Sequence, residues 1–373
     1  MTRIITRVPG KLMLMGEYAV SELAHPGIVM AVNRYLTCTL KSHAHYLLEF
    51  PGFYPSRIAA SSLSSLMAQL KRWPSLILVY DAVTIAKRYL VEEEKELPPF
   101  HLIITSDLQT SSGVKMGFGS SAALSVALLA SLLRHGAGKW VNRTLLFKLG
   151  ALTHVMTQPA SSCADVAAAT YGGIIHYERF STPWLDDQLQ EGVCVHELVE
   201  RQWPGLYIRS LKGMLPLPLL AGWTGKKAST PAFLQGMKAF KERNPDLFQQ
   251  FLQDSDEAAR AFSRSLAERN SEDLLHCVKA GRRILRFLGS HGNLPIETRP
   301  IQKALDAVES LGGAGKTSGA GGGDIIIAWF DREMSLPLSQ WQENDITPVP
   351  LSLAEEGVRQ DLHDEKVNEL PAQ

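Results

Sequence analysis

The segment Lys115-Met-Gly117-Phe-Gly119-Ser120-Ser121-Ala122-Ala123 follows a strand-like run and opens a strongly apolar stretch. Glycines let backbone approach an anion closely, and the first N–H groups of a helix have no partners of their own. The positive end of the helix dipole adds to the attraction, so this is an arrangement that can hold phosphate. Ser120 and Ser121 would also serve as helix caps, and capping is compatible with contact to phosphate or Mg²⁺. Lys115 adds a point charge just upstream, although a lysine beside a loop is often no more than solvated.

A second glycine-rich stretch, Gly312 to Gly323, contains Gly315-Lys316-Thr317. It is not a Walker A loop: the position needing the first glycine is Ser310, and the stretch runs into a strand instead of a helix. It predicts a loop pressed against a ligand or another backbone. Near the N-terminus, Pro9-Gly10-Lys11-Leu12-Met13-Leu14-Met15-Gly16-Glu17-Tyr18-Ala19-Val20 sets a lysine and a glutamate among apolar residues. Asp165 stands among small residues in Ser161-Ser162-Cys163-Ala164-Asp165-Val166, which leaves room for a ligand; a helix N-cap is its alternative role.

These residues need elements to position them. Alternation and turn signals predict strands from Arg3 to about Phe50, a helix over 78–94, a strand over 100–104, helices over 120–134 and 142–156, and a strand over 173–178. Farther on, strands are expected at 194–198, 206–211 and 217–222, then helices at 230–241, 246–268, 271–288 and 296–309. A strand over 324–330 follows the second glycine-rich loop. The helix-richer second half places a boundary near residue 200, and the charged tail after Leu353 is expected to fray.

The 373 residues are 45% hydrophobic and 20% charged, enough for a two-domain globular chain. Lysine plus arginine (38) balances aspartate plus glutamate (38), which leaves no general field for nucleic acid or an anionic membrane. Any phosphate site must be local. Cys38, Cys163, Cys194 and Cys277 are widely spaced, as reduced thiols would be. The N-terminus lacks the apolar core of a signal peptide and no run is long enough to span a bilayer, so a cytoplasmic protein is expected.

Three ordered segments resemble the motifs of GHMP kinases: Pro9-Gly-Lys-Leu-x₃-Gly-Glu-Tyr-Ala-Val20, Gly117-x-Gly-Ser-Ser-Ala-Ala123 and Lys316-Thr-Ser-Gly-Ala-Gly-Gly-Gly-Asp324. Lys115-Met-Gly, the Asp165 segment with Tyr171-Gly-Gly, and Gly222-Trp-Thr-Gly225 with Ala228-Ser-Thr-Pro231 resemble the phosphomevalonate kinases among them. The resemblance implies an α+β fold: an N-terminal α/β, ATP-binding domain over 1–200 with a left-handed βαβ unit, and a ferredoxin-like C-terminal domain over 201–373, with the site between. It implies ATP-dependent conversion of 5-phosphomevalonate to 5-diphosphomevalonate.

In that resemblance Lys11, Asp165 and Lys115 carry the catalysis. Lys115, Gly117, Gly119, Ser120, Ser121 and Ala122 hold ATP, with Ser120 or Ser121 reaching Mg²⁺. Lys11, Glu17, Tyr18, Ser161, Ser162, Ser318, Gly319 and Ala320 face phosphomevalonate, and Thr224, Lys226 and Ser229 are weaker candidates beside it. Asp165 is either a base or a group that orients Lys11. His154 occupies the position where mevalonate kinases carry a metal-binding glutamate, which argues against that activity. The alternatives are mevalonate kinase, diphosphomevalonate decarboxylase or a non-catalytic ligand sensor of the same fold, and a homodimer stays open.

Overall fold

The N-terminal alternation carries past Gly10. In the computed structural model, which describes residues 2–52, 55–110, 113–211, 215–228, 230–330 and 338–364, β1 (Thr2–Met15) pairs antiparallel with β2 (Pro26–Ser42). The register shifts between Pro9 and Gly10 and again between Met13 and Met15. Proline has no N–H for a ladder, so an irregularity there is expected. Lys11 therefore sits on a strand flanked by two irregularities.

The first sheet runs β12-β1-β2-β5-β3-β4, and β2 also pairs with β6, which pairs with β7. Its other strands are β3 (Tyr46–Glu49), β4 (Arg57–Ala60), β5 (Phe100–Ser106), β6 (Ile174–Glu178), β7 (Tyr207–Leu211) and β12 (Arg359–Asp364). Helices α1 (Leu63–Lys71), α2 (Ile77–Glu92), α3 (Ser120–Ala137), α4 (Arg143–Thr157) and α5 (Ala164–Tyr171) precede α6 (Thr182–Gln190) and α7 (Val195–Glu200). α3 packs on β1 and β2 and between α2 and α4. Its buried serines are satisfied locally: Ser125 Oγ donates to Ala122 O at 3.0 Å and Ser131 Oγ to Ala127 O at 2.7 Å.

The second sheet is antiparallel in the order β11-β8-β10-β9, from β8 (Leu219–Trp223), β9 (Ala314–Ser318), β10 (Ile325–Trp329) and β11 (Thr347–Val349). Helices α8 (Thr230–Arg243), α9 (Pro245–Glu268), α10 (Ser271–Gly292), α11 (Arg299–Ser310) and α12 (Leu338–Glu343) accompany it. The α+β class and the two-part fold are as expected. Sheet membership changes between Leu211 and Leu219 and returns to the first sheet at β12; we propose the division of the chain there instead of near residue 200, with β12 completing the N-terminal sheet.

Three expectations are corrected. The strand expected at Cys194–Leu198 is helix α7, because groups distant in sequence satisfy both of its ends. Glu92 accepts from Val195 N at 3.1 Å and His196 N at 2.6 Å, while Lys148 Nζ donates to Val199 O and Arg201 O at 2.6 and 2.7 Å. The glycine-rich loop over 312–323 contains the fully buried strand β9. The tail does not fray as far as residue 364: β12 pairs with β1 from Arg359↔Arg7 to Asp364↔Thr2, and Asp361 pairs with Arg7. Positions beyond 364 lie outside the described residues.

All four cysteines are free. Among the described residues no helix is long and apolar enough to cross a membrane.

Candidate active site

The chain leaves β5, passes Lys115 and enters α3 at Gly119, whose φ of +73° makes a left-handed N-cap with no side-chain capping bond. Ser120 and Ser121 occupy the uncapped first turn and Ala122 is buried beneath it. Only glycine fits here. A Cβ at Gly119 would lie 2.9 Å from Lys11 Cγ and 3.6 Å from Asp165 Cβ, and one at Gly117 (φ +93°) would lie 2.5 Å from Asp324 Cβ. The loop is therefore the meeting point of β1, α5 and the start of β10.

Lys11 is tied to this loop twice: its N–H donates to Phe118 O at 2.9 Å and its Nζ to Gly117 O at 3.4 Å. Asp165 lies in the first turn of α5, after the left-handed N-cap Cys163, so it is not the cap. Its Oδ1 accepts from Val166 N at 3.0 Å. Ser161 Oγ and Ser162 Oγ accept from Cys163 N and Ala164 N, each at 3.4 Å, and Tyr177 OH holds Ser162 O at 2.6 Å. These bonds shape the turn that presents Asp165. Burial pushes the Cys163 thiol up to about 12, with Asp165 second, so it is an inert neighbour.

Lys115 keeps solvent contact, yet partial desolvation lowers its pKa, with the positive charge of Lys227 second. Asp324 is half-buried. Desolvation raises its carboxyl, opposed by the Ala228 N–H and then by Lys11 and Lys227. Asp324 thus feels Lys11 and Lys227, and Lys227 in turn acts on Lys115, so the charges of three segments are linked at this loop.

The residues expected to face the acceptor divide. Glu17 is bound by Lys316 Nζ and is buried. Ser318 Oγ accepts from Met13 N at 2.9 Å and donates to Met13 O at 3.0 Å, which pins β9 to the irregular end of β1. Tyr18, with φ +66°, donates its hydroxyl to Ala320 O, and burial holds that phenol far above its ordinary pKa. By bonding one another these groups join β9 and the residues after it to the end of β1 and the turn that follows it. Gly319 is different: a Cβ there would meet nothing within 4 Å, so its backbone borders open space.

Thr224 Oγ1 donates to Lys226 O at 3.2 Å within a turn, Lys226 is exposed, and Ser229 lies outside the described residues. His154 is buried in α4, and its Nε2 has no hydrogen-bond partner. Sequence reasoning gave no role to Asp324 or Lys227. Asp324 closes the third motif, but its positive φ and its seat on Gly117 depend on tertiary placement.

Among the described residues no three His, Cys, Asp or Glu side chains converge as a metal cluster. A hard cation arriving with polyphosphate fits what is present, since it keeps waters and takes few protein ligands. The serines at the uncapped start of α3 offer hydroxyl oxygens of that kind.

Residues 78–173 match the GHMP kinases N terminal domain and 272–337 the GHMP kinases C terminal domain. The chain is 30% identical to the phosphomevalonate kinase of Streptomyces sp. (strain CL190), over 95% of this chain and 98% of that one. The crystal structure of a Lin0012 protein from Listeria innocua is similar with a TM-score of 0.86 at 30% identity, covering 97% of this chain and 100% of that one. Streptococcus pneumoniae phosphomevalonate kinase in complex with phosphomevalonate and AMPPNP has a TM-score of 0.82 at 24% identity, covering 94% and 99%. At that identity the likeness speaks for the fold.

Proposed function

The chain belongs to the GHMP kinase family, and from that premise we propose that it transfers the γ-phosphoryl group of ATP to 5-phosphomevalonate, giving ADP and 5-diphosphomevalonate. The observation that carries the chemistry is the convergence of Lys11 and Asp165 on Gly119 at the uncapped start of α3. The choice of acceptor is supported by similarity to the Streptomyces phosphomevalonate kinase along nearly the whole chain.

Phosphoryl transfer needs positioning and charge neutralisation more than covalent help from the protein. The backbone N–H groups of Gly119 to Ala122 and the Lys115 ammonium bind the ATP phosphates. Mg²⁺, when bound, neutralises charge on the phosphates, and Ser120 or Ser121 would hold it. Lys11 neutralises charge between donor and acceptor. The acceptor phosphate has a second pKa near about 6 and is largely dianionic at neutral pH, so no strong base is required. Asp165 therefore orients Lys11. Ser161, Ser162 and the Gly319 backbone border the acceptor, while Glu17, Tyr18, Ser318 and Ala320 hold that wall in place. The enzyme works in the cytoplasm, a reading supported by its four free cysteines.

The test is a coupled ADP-release assay with phosphomevalonate, mevalonate and diphosphomevalonate offered in parallel. Turnover confined to phosphomevalonate is expected. Preference for either other acceptor, or no turnover with any, overturns the reading.

A further inference from the structure

The turn at 224–228 offers the phosphate loop a cation that the three motifs leave out. Asp324 grips this turn on both sides of Lys227: its N–H donates to Lys226 O at 2.7 Å and its Oδ1 accepts from Ala228 N at 3.1 Å. Its carbonyl also accepts from Thr224 N at 2.9 Å. Gly323 packs so closely on the turn that a Cβ there would lie 2.7 Å from Lys226 O and 2.9 Å from Ala228 N. Asp324 in turn sits on the loop, at the 2.5 Å separation its Cβ would have from a Cβ on Gly117. The backbone carrying Lys227 is thus fixed to the phosphate loop through one residue, while the Lys227 side chain is exposed.

Its charge is felt in the site from two directions. Lys227 acts on Asp324 and, as a like charge, on Lys115. Lys115 precedes the loop on the β5 side, and the turn bearing Lys227 follows β8 and holds Asp324, which packs on Gly117. Two carboxylates, Asp165 beside Lys11 and Asp324 beside the Lys227 turn, do not balance Lys11, Lys115 and Lys227 together. A bound polyphosphate does, and it turns a repulsive pair into a clasp.

We propose that Lys227 binds the ATP phosphates from the C-terminal wall, opposite Lys115, with Asp324 as the positioning residue that holds its turn on the phosphate loop. This rests on the phosphate-site reading given above and adds a residue to it. Calorimetric titration of the full chain with Mg·ATP, in the absence of acceptor, reads it directly. Lys227→Met is expected to weaken ATP binding about tenfold, the scale of one charge-assisted contact. Lys227→Arg should restore most of the loss, and the KM for phosphomevalonate should stay put. Asp324→Asn should weaken ATP as well, and adding Lys227→Met to it should weaken it little further.

ATP affinity within twofold of wild type in Lys227→Met, or a loss confined to the acceptor KM, overturns the proposal. Because the titration reads binding and not turnover, a wild-type protein that binds ATP but does not phosphorylate phosphomevalonate overturns the functional reading and leaves this test intact.

Discussion

Lys316 and Glu17 form an ion pair buried from solvent, joining β9 of the second sheet to the loop that follows β1. Lys316 Nζ also donates to Thr317 O at 2.8 Å, and burial lowers its pKa while Glu17 opposes that shift. Desolvation of such a pair offsets much of its attraction, so the pair is weak as a source of stability. Its geometry is what matters here: it fixes the turn carrying Tyr18 against the strand that leads into Ser318 and Ala320.

Removing one partner is far more costly than removing both. Lys316→Ala leaves the Glu17 carboxylate buried and unpaired, which is expected to destabilise the fold by about 3–5 kcal/mol. Lys316→Met combined with Glu17→Gln should recover most of that loss. In the folded fraction, kcat should fall far less for Lys316→Ala than for Lys11→Ala or Lys115→Ala. Urea denaturation that does not distinguish Lys316→Ala from wild type would contradict the burial of this pair.

The wall beside Gly319 depends on the bond from Tyr18 OH to Ala320 O. Tyr18→Phe leaves that half-buried carbonyl without its donor, a loss of about 0.5–1.5 kcal/mol, the net value of an ordinary hydrogen bond. The expected signature is a raised KM for phosphomevalonate with ATP affinity unchanged. Equal shifts in both would mean the bond supports the whole fold and not the acceptor wall.

At Gly119 two constraints coincide: the positive φ disfavours any side chain, and a Cβ would press on the Lys11 stem. Gly119→Ala should cost about 1–2 kcal/mol of stability from the left-handed backbone alone. Activity should fall by much more than that loss explains, because Lys11 is displaced. A variant that stays active in proportion to its folded fraction would remove Lys11 from the loop.

Gly117, Gly119 and the serines read as an anion loop and Asp165 stands among small residues, whereas Lys11 read alone is a surface charge and enters the site only through the resemblance; the structure brings Lys11 and Asp165 to the same glycine. What was not legible rests on contacts between distant segments. Cys194–Leu198 reads as a strand until Glu92 and Lys148 arrive at the ends of α7. Gly312 to Gly323 reads as a loop because its glycines mask β9, which is held by β10 on one side and by Ser318 on Met13 at its end. Glu17 reads as a ligand to the acceptor until Lys316 takes its carboxylate.

The depressed pKa of Lys115 has a pH signature. Its folded value lies below the unfolded one, so between the two the unfolded chain holds a proton that the native chain lacks. Stability therefore rises with pH across that alkaline window, while ATP affinity falls as Lys115 loses its charge. Lys227→Met removes the second cause of the shift and should move the fall in ATP affinity to higher pH. An unmoved profile would mean desolvation alone sets the shift.

The roles open to Asp165 separate in a double-mutant cycle. A general base lost in Asp165→Asn should lower kcat steeply whatever Lys11 does, whereas an orienting carboxylate acts through Lys11 and couples to it. Both side chains approach the same point, 2.9 Å and 3.6 Å from where a Gly119 Cβ would stand, so direct coupling is within reach. The acceptor phosphate is already ionised and gains little from a base. Lys11→Ala should therefore cost much less in the Asp165→Asn background than in wild type, with kcat as the readout and ATP affinity as the control. Residues in contact couple by about 0.5–3 kcal/mol, and losses that instead add within about 0.5 kcal/mol would defeat the orienting role and return Asp165 to the part of a base.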